Sequence, residues 1–494
     1  MKRERISLAI VIIISCSLAI FFGFRKENYH VDEVWNYGLA NNIGSIVPAI
    51  EYGKEYSGMG PFEEYVEVSP EHRFNYINVW KNQANDVHPP LYYMFFHTVC
   101  SFFPNTFSNW YGIGLNIFWL AITLIILYLL GKEILKDSFS SLAFVLIYGM
   151  AISTLDTTIY IRMYSQFTLM AVFFAYLIKL YWDKPLTKKF YILAGVNLIA
   201  GVMTHYYFLI YAFFLCALFC INLFVKKQYA ELRKSILTFW GAGIIYLLIW
   251  HHILGHIFRG SRGQEAIGKA ASLFDFSSII SMFSVINGYF FSHLILLFLI
   301  FAIVIILIKR KNHESLWSFE CALFLSGFFY AIVIGKVSPY TTGRYVSPVG
   351  FIIILAAFMS ARKILALKLK DATIDKILII FFLVLNLANY SLNGFYLSHD
   401  YHSTNLDKTI EQIKDEKVVE YVSSDWEMLS NFKVLTSVKS YAFIDDNTAA
   451  DFLKHQKEDF VLMLYEKEPQ EVFPGLECEL ISSHGASNYY LVHM

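Results

Sequence analysis

The chain has 494 residues, of which 56% are hydrophobic and only 16% are charged, and its mean hydropathy is +0.47. A water-soluble protein could not bury so much apolar surface, so the composition indicates an integral membrane protein. Lys plus Arg and Asp plus Glu number 40 each, which gives a formal net charge of zero. That balance argues against nucleic acid as a partner, because it provides no general attraction to a polyanion.

Apolar runs of about 20 residues, the length that crosses a bilayer, recur along the chain. They predict about eleven transmembrane helices, near residues 6–24, 111–130, 139–155, 163–181, 190–205, 206–225, 235–254, 289–308, 316–335, 345–361 and 376–396. The first run follows Lys2, Arg3 and Arg5, and no small-residue cleavage site comes after it. We therefore expect a retained signal anchor.

Basic residues in the short loops set the predicted orientation, because Lys and Arg near span ends stay on the cytoplasmic side. With a cytoplasmic N-terminus, the basic loops at 132–136, 184–189, 226–234, 309–311 and 362–376 fall on one face. This holds if the apolar segment 89–103 does not cross, so we place it as a re-entrant or interfacial helix on the outer side. The chain is thus predicted to be a multi-pass protein of the cell membrane.

Two long segments then lie outside the cell. The first outer loop, residues 25–110, belongs to a membrane domain of residues 1–397. Residues 398–494 contain eight Lys and eighteen acidic residues, so an acidic tail offsets a basic membrane part. Strand-like runs at 417–423, 460–465 and 489–492 alternate with helix-like runs at 406–413 and 448–455. They predict a small extracytoplasmic α/β domain.

Ionisable residues are scarce inside the predicted spans and gather at the outer boundary, which indicates a site there and not an ion relay. Asp32 and Glu33 follow the first span in the string HVDEVWNYGLANN, which suits an interfacial helix. Adjacent residues on a helix point in different directions, so at most one carboxylate should face a substrate. Apolar neighbours raise the basicity of such a group enough for general-base catalysis. The alternative is that both are solvated acids that mark a span end.

The string DVHPPLYY, residues 86–93, is more distinctive. Its two prolines fix the backbone, so Asp86 and His88 are held at the start of the following apolar segment. The alternative is a rigid turn with ordinary interfacial tyrosines. A third feature, the string EYGKEY at 51–56, offers rings that can stack on sugars.

Several motifs, in this order, resemble those of the polytopic C-type (GT-C) glycosyltransferases, the superfamily of the protein O-mannosyltransferases and the lipid A aminoarabinose transferase. They are the Asp32-Glu33 pair, DVHPPLYY, YIRMYSQ (160–166), THYYF (204–208) and GRYVSP (343–348). The O-mannosyltransferases have Gly-Lys where this chain has Tyr92-Tyr93, and usually a β-trefoil insert that this chain lacks. A protein acceptor is thus in doubt, and the bacterial envelope branch fits better.

The resemblance implies inverting transfer of a hexose or pentose from a polyprenyl-phosphate donor to an envelope glycan, lipid or polymer. Asp32 would be the general base. The implied substrate-binding residues are Glu33, Asp86, His88, Arg162, Tyr164, His205, Tyr206, Arg344 and Tyr345. Arg162 and Arg344 would hold the leaving phosphate, because a planar guanidinium suits phosphate oxygens. Arg259 and Arg262 are second choices. The alternatives are arginines that snorkel to water and a capped interfacial His205.

We assign no metal, since His252 and His256 lack a third ligand beside them and no Cys pair has metal-ligand spacing. A divalent cation is left open, because some relatives in the wider class use one. A nucleotide-sugar donor is disfavoured, as there is no P-loop and no GxGxxG after a strand. The main rival function is a flippase or other transporter of lipid-linked saccharides, which predicts a charged central path and often repeats. An envelope scaffold or sensor is a second rival.

Overall fold

The computed structural model describes residues 2–272, 275–291, 293–311, 316–392, 394–399 and 404–494. It is mostly helical with one six-stranded sheet. Its internal contacts divide the chain into two units. Unit 1 comprises Met1–Phe24, Asp86–Tyr92 and Gly112–Leu397, and unit 2 comprises Arg25–Asn85, Tyr93–Tyr111 and Ser398–Met494.

The helices up to the middle of the chain are α1 Lys2–Phe24, α2 Val31–Asn41, α3 Pro61–Val66, α4 Tyr76–Asn85, α5 Leu91–Ser101, α6 Asn109–Leu135, α7 Ser138–Gly149, α8 Ile152–Ile159, α9 Tyr164–Tyr181, α10 Lys188–Thr204, α11 Tyr207–Val225 and α12 Tyr229–Ile249. Those that follow are α13 His252–Phe258, α14 Ser261–Ala271, α15 Ser277–Phe291, α16 Ile295–Lys311, α17 Phe319–Val337, α18 Gly350–Leu365, α19 Asp371–Leu392, α20 Thr404–Ile413, α21 Asp425–Ser430, α22 Phe432–Leu435, α23 Ala449–His455 and α24 Pro469–Val472. The strands are β1 Glu55–Tyr56, β2 Lys417–Tyr421, β3 Ser440–Ile444, β4 Phe460–Tyr465, β5 Cys478–His484 and β6 Ser487–Val492.

Seven described helices are long and apolar enough to cross a membrane, and the pair α7 and α8, bent by 54°, makes an eighth if it is one span. The chain is therefore a multi-pass membrane protein, as predicted, and the count of eleven spans stays a prediction. The predicted span 289–308 covers the last residues of α15 and most of α16, two shorter apolar helices, and its residue 292 lies outside the described residues. The segment 89–103 forms α5, whose 11 residues are about half of what a crossing needs.

In unit 1, close packing at the α10–α11 corner fixes the direction of both helix ends. A Cβ on Gly201 of α10 would lie 2.4 Å from the ring of Phe208 on α11, so only glycine leaves room for that ring. The corner residues His205 and Tyr206 are consequently held between two packed helices.

Unit 2 contains the sheet, with strand order β1-β3-β2-β4-β6-β5. Strands β3, β2 and β4 are parallel, β6 and β5 are antiparallel, and β1, from the first outer loop, pairs antiparallel with β3. The α/β character predicted for the tail is confirmed by the sheet at the C-terminus, and β2, β4 and β6 lie where strands were predicted. The pairing of loop residues Glu55 and Tyr56 with β3 was not predicted.

Candidate active site

Four of the sequence motifs meet within unit 1. Their residues are Asp86, His88, Arg162, Tyr164, His205, Arg344 and Tyr345, which we call the motif cluster. Asp86 and His88 precede α5, Arg162 and Tyr164 lie at the start of α9, and His205 caps the end of α10. Arg344 and Tyr345 lie in a 3₁₀ turn, Gly343–Tyr345, shortly before α18. Helix ends that are distant in sequence therefore converge at one place.

His88 joins two segments of the motif cluster. Its Nδ1 lies 2.7 Å from Oδ2 of Asp86, and its Nε2 lies 3.2 Å from Nη2 of Arg162. A guanidinium only donates hydrogen bonds, so Nε2 must accept and Nδ1 must carry the proton that it donates to Asp86. The three side chains thus form a chain of hydrogen bonds with a defined direction.

Asp86 stays ionised in this setting. Burial opposes its negative charge, but the neighbouring His88 and the hydrogen bonds from His88 and from the Val87 amide outweigh that effect. Together with the charge of Arg162, they hold the pKa of Asp86 below its ordinary value. Asp86 is therefore a fixed anion that orients His88 and, through it, Arg162.

Arg344 supplies a second buried guanidinium, with 9% of the residue exposed against 4% for Arg162. Its Nη1 donates to the hydroxyl of Tyr160, and its Cζ lies 5.6 Å from the ring centre of Tyr160 and 5.2 Å from that of Tyr345. Cation–π contacts of this kind stabilise a charge that has little water around it. Tyr160 also stacks on Tyr164 at 6.0 Å, which continues the aromatic wall.

His205 lies among these cations as a neutral donor. Its Nδ1 accepts the amide hydrogen of Tyr207 at 3.0 Å, so its proton is on Nε2. Burial beside the guanidinium groups of Arg162 and Arg344 disfavours a positive charge on the His205 ring, which agrees with this tautomer. The ring centre of His205 lies 6.0 Å from that of His88, which places the Nε2–H group of His205 beside the His88–Arg162 pair.

Tyr206 belongs to a neighbouring group at the same corner. Its hydroxyl accepts from Trp250 Nε1 at 2.9 Å and pairs with His256 Nδ1 at 2.7 Å. Within the described residues, no three His, Cys, Asp or Glu side chains group as metal ligands. Of the second-choice arginines, Arg262 pairs with Glu265 at 3.0 Å, and its side chain is 48% exposed.

An apolar groove of about 490 Å³ opens between α10, α11 and α12. It is lined, among others, by Val202 of α10, Leu209 and Cys216 of α11, Trp240 of α12 and Ile253 of α13. Val202 and Leu209 lie three residues from His205 and Tyr206 respectively, one helical turn away. The groove therefore extends to the corner that carries these two predicted site residues.

In unit 2, the adjacent acids Asp32 and Glu33 have different environments at the start of α2. Glu33 is fully buried, its Oε2 accepts from the His30 amide at 2.8 Å, and the same oxygen lies 3.0 Å from Lys26 Nζ. The Asp32 side chain is 34% exposed. His30 Nδ1 lies 3.6 Å from Oδ2 of Asp32 and accepts the Asp32 amide hydrogen at 3.0 Å.

Asn36 is a residue that sequence reasoning did not select. It lies one turn after Asp32 on the same face of α2, it is fully buried, and neither amide atom has a hydrogen-bond partner among the described residues. Gln83 of α4 is in the same condition. Buried amides without partners are rare in native folds, which marks both as candidate ligand contacts. The i, i+4 spacing from Asp32 was the available signal.

Comparison with known proteins finds no matching family profile and no matching curated sequence. Solved structures are similar over most of the chain. ArnT from Cupriavidus metallidurans, bound to undecaprenyl phosphate, matches with 9% identity, 93% of this chain and 96% of that chain covered, and a TM-score of 0.48. An oligosaccharyltransferase of Archaeoglobus fulgidus, solved with Zn and sulfate, matches with 11% identity, 94% and 68% covered, and a TM-score of 0.48.

Both proteins are GT-C glycosyltransferases, the superfamily that the motifs resemble. At these identities and scores the likeness concerns the course of the chain alone. The proposal for this chain depends instead on its motifs and on the geometry of the motif cluster.

Proposed function

We propose that the protein transfers a sugar from a polyprenyl-phosphate donor to an acceptor of the cell envelope, with inversion at the anomeric carbon. The observation that carries this proposal is the convergence of four separate motifs on one buried group with two guanidinium ions. A structural role alone gives no reason to place both cations and two histidines together, since buried charge is costly.

The two guanidinium groups suit the leaving phosphate. As the bond between the anomeric carbon and the phosphate oxygen breaks, that oxygen takes the electron pair and its negative charge grows. Arg162 and Arg344, buried at 4% and 9% exposure, supply planar donors in a place with little water to screen them. The Nε2–H of His205 adds a neutral donor, and the Asp86–His88 pair holds Arg162 in place.

Asp32 is the proposed general base. Its carboxylate takes the proton of an acceptor hydroxyl while the oxygen attacks the anomeric carbon from the face opposite the phosphate. The products are a new glycosidic bond and the free polyprenyl phosphate. Support comes from the superfamily motif and from the partial exposure of Asp32, because a base must reach its substrate.

The apolar groove suits the donor's lipid tail. An isoprenoid chain has no hydrogen-bonding groups, and the walls formed by α10, α11 and α12 are almost wholly apolar. Since one end of the groove adjoins His205 and Tyr206, a tail that lies in it would bring its phosphate to the motif cluster. Filling the groove with Ala217→Trp should then raise the KM for the lipid-linked donor.

The test supplies radiolabelled polyprenyl-phosphate sugars to the purified protein and follows transfer to envelope glycans or slow hydrolysis. Arg162→Lys and Arg344→Lys should each lower kcat/KM by roughly 10- to 100-fold, since an ammonium replaces a planar fork but keeps the charge. Arg233→Lys, an exposed change near the start of α12, is the matched control. Movement of the intact lipid-linked sugar across vesicle membranes, with no release of polyprenyl phosphate, would favour the transporter instead.

A further inference from the structure

The sheet of unit 2 carries a cavity that the proposed transfer does not use. It has a volume of about 290 Å³ and lies at the carboxyl ends of the three parallel strands. Residues 421–425 line it from the end of β2, residues 445–447 from the end of β3, and Lys467 from the end of β4. Tyr52, from the loop before β1, lines it as well. We call this cavity the sheet-end crevice.

The strand order explains why a cavity forms there. β2 lies between β3 and β4 in the sheet. After β2 the chain continues into β3, its neighbour on one side, and it later forms β4, its neighbour on the other side. The loops after β2 and β4 therefore diverge, which leaves a crevice outside their carboxyl ends. In open α/β sheets, this switch point is where ligands bind. The position of the cavity thus points to a ligand independently of its composition.

The lining of the sheet-end crevice selects a ligand class. Tyr52 is 38% exposed and offers an aromatic face, while Asp425 makes no hydrogen bond to the described residues and is exposed. The side chains of Ser423 and Ser424 add hydroxyls, and Asn447 adds an amide. Carboxylates and amides pair with neighbouring hydroxyls, and an aromatic ring covers the apolar face of a sugar.

The charges and hydrogen bonds in the sheet-end crevice narrow the class of ligand further. The crevice is lined by three carboxylates, Asp425, Asp445 and Asp446, and by one ammonium group, that of Lys467. The excess of negative charge repels phosphate and acidic sugars. Two carboxylates are already engaged: Asp446 accepts from the Tyr421 hydroxyl, and Asp445 accepts from Thr448 at 2.7 Å. Within the described residues no carboxylates converge as a metal site. A neutral or amino-bearing polyol fits best.

We propose that the sheet-end crevice binds a saccharide without acidic groups, either neutral or carrying an amino group. The pocket is close to the lower end of the range of small-ligand sites, about 300 Å³, so it takes a short segment of a glycan. This binding goes beyond the proposed transfer and does not depend on it. A glycan held there would be retained by the protein whether or not unit 1 is active.

The test is calorimetric titration of the full-length protein in a detergent without a sugar head group. The probes are chitosan oligosaccharide, its N-acetylated form and oligogalacturonate, which carry amino, neutral and acidic groups respectively. We expect the first two to bind and the third not to bind, with no change in EDTA. Asp425→Asn and Tyr52→Ala should each weaken binding by roughly tenfold, the effect of losing one hydrogen bond or ring contact.

Matched controls lie elsewhere in unit 2. Asp451→Asn changes an exposed acid of α23, and Tyr76→Ala changes a ring with 37% exposure, close to that of Tyr52. Neither should alter binding. Equal binding of oligogalacturonate, binding that needs a metal, or unchanged binding in both crevice variants would overturn the proposal. Asp32→Asn should leave saccharide binding in the sheet-end crevice intact. Failure of the binding proposal can therefore be distinguished from failure of the transferase proposal.

Discussion

Glu33 Oε2 lies 3.0 Å from Lys26 Nζ, and neither side chain is more than 1% exposed. Lys26 also donates to the carbonyl of His399, so the ammonium links the start of α2 to the start of the C-terminal segment within unit 2. Asp32, the next residue along α2, is 34% exposed instead. The adjacent acids are thus separated into a buried structural ion pair and an accessible carboxylate.

Lys26→Met should therefore destabilise unit 2. Removal of one partner of a buried ion pair leaves an uncompensated charge, and we expect a loss of about 3–5 kcal/mol in the free energy of unfolding. The double variant Lys26→Met with Glu33→Gln should recover most of it, because no charge is then left buried. Thermal unfolding in detergent, monitored by tryptophan fluorescence, measures the stability of the single and the double variant.

The control for this pair is Lys54→Met, which removes the partner of Glu51 from an exposed ion pair. It should leave the unfolding midpoint unchanged, since exposed pairs contribute little. The sequence motif implies a substrate contact for Glu33. If Glu33→Gln abolished transfer while the unfolding midpoint stayed at the wild-type value, that role would replace the structural one.

Asn36→Leu should raise stability and lower activity. The buried Asn36 amide has no hydrogen-bond partner among the described residues, and such a group costs about 1–3 kcal/mol. An apolar side chain of similar size removes that cost, but it also removes an amide that shares the face of Asp32. Asn82→Leu is the contrasting variant, because the Asn82 amide donates to Leu39 and Asn42, and its loss should destabilise. Full transfer activity in Asn36→Leu would exclude a substrate contact.

Glu420 gives the sheet of unit 2 a pH-dependent stability. Burial raises the pKa of Glu420 from 4.5 to about 8, and the charge of Glu427 acts in the same direction. A 2.7 Å hydrogen bond from Asn431 opposes this increase in part. Between these values the folded protein keeps a proton that the unfolded chain has released. The contribution of Glu420 to the free energy of unfolding is therefore fully present below about pH 4.5. It falls as the pH rises toward 8, by a few kcal/mol in order of magnitude.

Hydrogen exchange of peptides from residues 417–492, corrected for intrinsic rates, measures this dependence. Glu420→Gln keeps the shape of the protonated carboxyl and cannot ionise, so it should be more stable than the wild type at pH 8 and show a flatter profile. Asp451→Asn, at an exposed position, should keep the wild-type profile. Equal pH profiles for wild type and Glu420→Gln would contradict the assigned pKa.

Much of the fold could be predicted because its signals are local. Apolar length marked the membrane helices, and runs of β-branched and aromatic residues marked β2, β4 and β6. The motif residues His88, Arg162 and Arg344 were selected from sequence, and the structure brings them together within unit 1.

The remainder depends on long-range packing that a local pattern cannot reveal. Glu55 and Tyr56 read as a polar loop, yet they pair with Ala442 and Tyr441 at the sheet edge. The predicted span 289–308 begins at the end of α15 and takes in most of α16, because the apolar run continues past the point where α15 ends. Burial of Glu33 was equally hidden, because its partner Lys26 follows the first helix as an ordinary span-end cation would.

Transfer by wild type and by the Asp32→Asn variant, with a radiolabelled polyprenyl-phosphate sugar, tests the proposed chemistry most directly. The amide keeps the size of the carboxylate and cannot accept the acceptor's proton, so the rate should fall by about 10²- to 10⁴-fold. Binding of the lipid-linked donor and the thermal unfolding midpoint should stay at wild-type values, since the Asp32 side chain is partly exposed and is not the buried member of the acid pair. Wild-type turnover in Asp32→Asn would contradict the mechanism.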